Sequence, residues 1–142
     1  QGKNDFGEKY LKTNNIFTSK VTKVSEVGDI LLSVRAPVGP VNLSPFKLCI
    51  GRGLCALRPG PDVDLMYLFY LFQSFNFFQG RLGSTTESIN KDDIKNIEIP
   101  LPPLNIQKEI SKKIEYSGGI ITEHKTMIEA EESKIKDIFL KL

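Results

Sequence analysis

The sequence predicts an α+β chain: a mostly β globular part with packed helices, followed by a long C-terminal helix of the coiled-coil type. Three observations carry this. Short apolar and β-branched runs are punctuated by Gly and Pro up to residue 61. A strongly aromatic apolar face follows at helical spacing. Beyond residue 103 Gly and Pro thin out and isoleucine recurs every seven residues. The expected division is therefore a globular domain at 1–103 and a helical region at 104–142 whose apolar stripe needs a partner.

Gln1–Thr22 is polar and reads as loop, with at most one short strand near Asn15–Ser19. Asp29–Arg35 (DILLSVR) follows a Gly28-Asp29 turn signal and reads as a strand. Val41–Leu43 comes after the turn Ala36-Pro37-Val38-Gly39-Pro40, and Lys47–Ile50 and Leu54–Leu57 flank Gly51-Arg52-Gly53. Such short strands suggest a strongly bent sheet or barrel. Pro59-Gly60-Pro61 breaks the chain, and Asp62 is placed to cap a helix. Its face, Leu65, Leu68, Phe69, Phe72, Phe75 and Phe78, requires burial against the sheet, and Gly80 is a natural stop. A polar loop from Arg81 to Ser88 leads to Asn90, which caps a short helix at Lys91–Lys95 with Asp92 and Asp93 in its first turn. Ile97, Ile99 and Leu101 alternate as a last strand, stopped by Pro100, Pro102 and Pro103.

Ile114, Ile121, Ile128, Ile135 and Leu142 are spaced by seven and form one heptad seam. The positions three further on, Ser117, His124, Glu131 and Ile138, are mostly polar, which weakens the seam and fixes its register. Ile120, Met127 and Phe139 support it from the flanks. Each residue of Gly118-Gly119 costs about 1 kcal/mol in a helix interior. A kink or break is expected there, between helices at about Asn105–Tyr116 and Ile120–Lys141.

Composition excludes several classes. The chain has 142 residues, 40% hydrophobic and 25% charged, an ordinary globular balance. No apolar run reaches the ~18 residues of a membrane span. The polar N-terminus argues against a signal peptide, so a cytoplasmic protein is expected. Cys49 and Cys55 lie six apart, not at a zinc spacing, and His124 is the single histidine. Buried free thiols and no metal site are the expectation.

Charge is unevenly spread. Residues 1–58 carry nine Lys/Arg against four Asp/Glu, 59–103 three against six, and 104–142 seven against seven. A phosphate-contacting surface belongs in the first segment.

The search for chemistry is largely negative. Gly51-x-Gly53-x-x-Ala56 has the dinucleotide-binding spacing, but Pro59-Gly60 ends any helix that could hold a pyrophosphate. Pro61-Asp62 with Asp93-Ile94-Lys95 has the residue types of a nuclease, but Asp62 reads as a helix cap and Asp93 lies in a helical first turn. No catalytic group is assigned. Basic turns are the better candidates. Arg35 ends a strand, Arg52 sits between two glycines, and Arg81 opens a loop with Ser84, Thr85 and Thr86. Arginine on a rigid turn suits a phosphate or a guanine edge, and hydroxyls donate to phosphates.

Two stretches carry a family resemblance. GDILLSVRAPVGPVNLSPFKLCIGRGLCALRP (Gly28–Pro59) resembles the central part of a target recognition domain. IEIPLPPLNIQKEISKKI (Ile97–Ile114) resembles the junction at which such a domain enters its conserved helix. Both belong to the specificity subunit of type I restriction–modification systems, and DLMYLFYLFQS with GSTTESINKDDI fits between them. The resemblance implies a target recognition domain at 1–103, lacking its N-terminal segment, and a helical spacer or dimerisation region at 104–142. It implies sequence-specific recognition of double-stranded DNA with no chemistry or cofactor of its own. Methyltransferase (modification) subunits would use S-adenosylmethionine, and a restriction/translocase subunit would use ATP and Mg. Since the family subunit usually carries two recognition domains and two pairing helices, this chain is either a half-subunit forming a homodimer or a fragment of a two-domain subunit. No membrane partner is implied.

The candidate DNA-binding residues are Lys3, Lys20, Lys23, Arg35, Arg52, Arg81, Ser84, Thr85 and Thr86. The candidate helix interface is Ile114, Ile121, His124, Ile128, Ile135 and Ile138. The competing expectation is a helix-mediated protein–protein assembly scaffold that reads no DNA.

Overall fold

The computed structural model describes residues 2–12, 17–74 and 88–139, with side chains described as far as residue 134. The chain divides into two compact units, 1–108 and 109–142.

The first unit is organised around one fully buried strand. β1 (Val24–Ser25), β2 (Ile30–Ser33), β3 (Val41–Leu43), β4 (Leu48–Cys49) and β5 (Leu54–Leu57) are the strands in chain order. β2 is the centre of an antiparallel sheet of order β3-β2-β5, with Ile30 opposite both Leu43 and Leu57. β1 pairs antiparallel with β4 in a separate two-stranded sheet.

The run Ile30-Leu31-Leu32 lacks polar alternation because both faces of β2 are covered. Ile30 and Leu32 point into one cluster with Val41, Leu43, Phe69 and Phe72. Leu31 points into a second with Leu11, Ile50 and Leu54. Burying each such side chain contributes about 1.5–3 kcal/mol. The Gly28 turn that aims β2 needs φ of +83°, a left-handed value that favours glycine.

The N-terminal segment is more ordered than its polarity suggests. Lys3–Asp5 form a 3-10 turn, and Tyr10 makes a parallel bridge to Leu43 that carries Leu11 into the core. Of the strand expected near Asn15–Ser19, residues 13–16 lie outside the described residues and 17–19 are irregular.

α1 (Leu65–Gln73) buries Leu68, Phe69 and Phe72 against the sheet, as its spacing predicts. Its cap is Asp64 rather than Asp62, with Oδ1 accepting from the Tyr67 N–H at 2.9 Å. The chain is still in a turn before that, since the Val63 N–H bonds to the Gly60 carbonyl. The helix also stops earlier than Gly80: Ser74, with ψ of 133°, has left helical geometry, and its hydroxyl donates to the Leu71 carbonyl at 2.7 Å. Phe75, Phe78 and Gly80 lie outside the described residues.

α2 (Lys91–Lys95) has the expected cap. Asn90 Oδ1 accepts from the Asp92 and Asp93 N–H groups, and Asp93 Oδ2 accepts from the Asn90 N–H. The strand expected at Ile97–Leu101 does not form. Its alternation is real in one respect, because Ile97 and Ile99 pack on the main core. Pro100, Pro102 and Pro103 cannot donate to a ladder, and the segment is held instead by the Tyr67 hydroxyl donating to the Pro100 carbonyl at 2.9 Å.

α3 runs without a break from Leu104 to Phe139, so the interruption expected at Gly118-Gly119 is absent. Propensity alone overstated it. Neither glycine is followed by proline or by a capping group that would stabilise an alternative backbone. The Thr122 hydroxyl donates to the Gly118 carbonyl at 3.0 Å inside the helix.

An ion pair between a buried carboxylate and an exposed guanidinium ties the start of β2 to the end of β5. Asp29 is 2% exposed and accepts from Arg58 Nε at 2.7 Å, from Arg58 Nη2 at 2.8 Å and from the Glu26 N–H at 2.8 Å. Burial opposes ionisation of Asp29, but the Arg58 and Glu26 bonds outweigh it and hold the carboxyl below its ordinary value. A depressed carboxyl pKa contributes stability that is present above the unfolded value and is lost as pH falls through the folded one. Asp29→Asn is therefore expected to lower the melting temperature at neutral pH. Its deficit against the native chain should shrink below about pH 4. Melts across a pH series check this, and a deficit independent of pH would show that the pair's charge is irrelevant.

Candidate nucleic-acid interface

The sequence candidates Lys23, Arg35 and Arg52 come from three separate elements and meet around one groove of about 720 Å³. Lys23 precedes β1, and its carbonyl accepts from the Ile50 N–H at 3.0 Å. Arg35 follows β2, where it forms an isolated bridge with Ser88. Arg52 is exposed in the turn that joins β4 to β5. The groove runs along β5, the outer strand of its sheet, with Leu54, Cys55 and Ala56 as consecutive lining residues.

A fourth cation joins the lining. Lys91, the first residue of α2, lines the same groove, and its cap Asn90 and Ser88 add polar groups beside it. Nothing in the sequence pairs Lys91 with Arg35, 56 positions away. The Ile89 N–H bonds to the Val34 carbonyl at 3.1 Å and brings α2 alongside the end of β2. Among the described residues no Asp or Glu lines the groove. No ion pair of Lys23, Arg35, Arg52 or Lys91 is formed among the described residues. The positive field reaches Cys55. Burial pushes the Cys55 thiol up, while the Lys23 and Lys91 charges pull against that shift.

Other cations are committed elsewhere. Arg58 is bound to Asp29, and Lys47 pairs with Glu26 at 2.9 Å. Lys3 Nζ donates to the Ala36 carbonyl, next to Arg35 but outside the groove lining. Lys20 is exposed on the irregular segment ahead of β1 and does not line the groove. Arg81, Ser84, Thr85 and Thr86 lie outside the described residues.

The remaining chemistry is limited. Cys49 and Cys55 are not joined in a disulfide, and both are half-buried rather than buried as expected. Gly53 leads into strand β5 and not a helix, so the dinucleotide spacing has no structural counterpart. Among the described residues no group of three His, Cys, Asp or Glu could hold a metal ion, and no helix is long and apolar enough to cross a membrane.

In the second unit the seam positions Ile121 and Ile128 are 56% and 58% exposed, and Ile114 and His124 are exposed as well. The side chains of Ile135 and Ile138 lie outside the described residues.

A small sheet around a buried strand, with a cationic groove beside it, and a long helix whose described seam residues are exposed make this an α+β fold. The chain belongs to the type I restriction modification DNA specificity domain family, whose model matches residues 6–132. It is 40% identical over 148 aligned positions to the type I restriction enzyme MjaX specificity subunit of Methanocaldococcus jannaschii, covering 99% of this chain and 34% of that protein. It is 27% identical over 143 positions to the MjaIX specificity subunit of the same organism, covering 98% and 32%.

Solved structures agree in fold. A chain from a study of complex assembly and conformational transition of the type I R-M system superposes with a TM-score of 0.78 at 36% identity, covering 94% of this chain and 34% of that one. The HsdS subunit from Thermoanaerobacter tengcongensis gives 0.73 at 38%, covering 86% and 30%. The chain thus spans about a third of the length of the curated relatives it matches.

Proposed function

We propose that this chain is a sequence-specific double-stranded DNA recognition module that directs a type I restriction–modification methyltransferase/endonuclease complex to its target site. The observation that carries this is the convergence of Lys23, Arg35, Arg52 and Lys91 on one groove with no acidic residue among those described. Four cations in one concave site attract a polyanion, and arginine at a rigid turn can also read a guanine edge. Family membership supplies the class of polyanion.

In this reading residues 1–103 read the duplex and 104–142 set spacing and assembly. The chain performs no reaction. Modification subunits with S-adenosylmethionine and a restriction/translocase subunit with ATP and Mg supply the chemistry, in the cytoplasm.

Selection from a random duplex pool with the full chain tests the reading. One enriched sequence is expected, with log affinity falling against log salt by about 0.9 per phosphate contact. Affinity that ignores both sequence and salt would overturn it. In cells, methylation profiling with and without the chain should show loss of one methylated motif.

The α3 seam is the proposed contact with a second helix, from another copy or from the remainder of a longer subunit. Ile128→Glu is expected to abolish that association by placing a charge in an apolar contact. Sedimentation of the two chains reads it, and an unchanged assembly mass would put the contact elsewhere.

A further inference from the structure

Phosphates account for the cations of the groove but not for the apolar part of its lining. Besides the four cations, the groove is lined by Val24, Val34, Cys55, Ala56 and Ile94, all partly exposed, Val24 at 39%. Cys55 behaves as a small apolar group too, because a thiol pushed up by burial stays protonated at neutral pH. An apolar lining gives nothing to a phosphate, whose oxygens need donors. The apolar group that a duplex offers in its major groove is the C5-methyl of thymine. We propose that this apolar lining is a thymine-methyl site, where Val24, Val34 and Cys55 pack on the C5-methyl of a target thymine while the cations of the groove hold the flanking phosphates. The inference rests on the reading of the groove as a duplex-binding face, and it adds what part of the duplex the groove distinguishes.

Uracil is the matched probe, since it pairs as thymine does and lacks only the methyl. The site selected from the random pool is resynthesised with uracil replacing one thymine at a time, and each duplex is titrated with the full chain. At one or more positions affinity should fall about fourfold, the value of burying one methyl-sized group. A Val24→Thr, Cys55→Ser variant keeps the shape of the lining and adds hydroxyls. It should show a smaller preference for the thymine duplex over the uracil duplex than the native chain and keep the native salt slope. A selected site without thymine, equal binding of every uracil duplex by the native chain, or a thymine preference that is undiminished in the variant each overturns the thymine-methyl site while leaving duplex recognition standing. Loss of salt-dependent duplex binding altogether in the native chain would instead overturn the reading beneath it.

Discussion

Arg52→Ala is expected to weaken binding of the selected duplex about thirtyfold, a loss of roughly 2 kcal/mol for one good arginine contact. The melting temperature should not move. Arg52 is exposed and makes no ion pair among the described residues, so the fold does not use its charge. The turn that carries it is held by the backbone, with the Leu54 N–H bonding to the Gly51 carbonyl at 3.1 Å. Two readouts identify what the side chain touches. A base contact weakens the selected site more than a scrambled one. A phosphate contact weakens both equally and lowers the salt slope by about one. Arg58→Ala is the contrasting variant. It lies in the same basic segment, but its guanidinium is bound to Asp29, and its loss should lower stability rather than selectivity. Unfolding of the Arg52 variant, or full affinity, would remove this arginine from the interface.

The basic groove was legible in the sequence only in part, for a physical reason. Lys23, Arg35 and Arg52 stand at strand ends or turns within one 30-residue stretch, so local punctuation marks each as accessible. Lys91 is placed by the contacts of Ser88 and Ile89 with the end of β2, and single bridges have no periodicity. β1 is invisible for the same reason, being two residues long. The α1 face was readable because Leu68, Phe69 and Phe72 repeat at helical spacing, whereas its exact cap depended on a turn at Gly60–Val63 that favours Asp64. Two of the misreadings, a strand at Ile97–Leu101 and a break at Gly118-Gly119, share a cause. Each weighed a local pattern against too few alternatives. Proline leaves the first without donors, and the second has no competing stop signal within a 36-residue helix.

Gln107→Ala is expected to be among the most destabilising single changes in the chain. Gln107 belongs to the Pro-Leu-Pro-Pro-Leu-x-x-Gln junction, and it is 1% exposed. Its Nε2 donates to the Asp62 carbonyl at 3.0 Å and the Pro102 carbonyl at 2.8 Å, while Oε1 accepts from the Asp64 N–H at 2.8 Å. One side chain thereby satisfies three backbone groups, joining the start of α1 to the start of α3. Alanine strands all three, and each costs about 1 kcal/mol or more. A loss near 3 kcal/mol should lower the melting temperature by about 12 °C or more in a domain of this size. Gln107→Glu separates the clamp from simple packing. The carboxylate keeps the acceptor for Asp64 but turns its second oxygen toward two carbonyls, so it should be at least as damaging as alanine at neutral pH. Burial among carbonyls raises its pKa, and such a group regains stability as pH falls through that raised value. The Glu variant should therefore recover part of its melting temperature as pH falls from neutrality toward the ordinary carboxylate range, where the alanine variant gains nothing. Melts of both variants across that range decide the matter: parallel curves would mean that Gln107 fills space rather than bonding the junction.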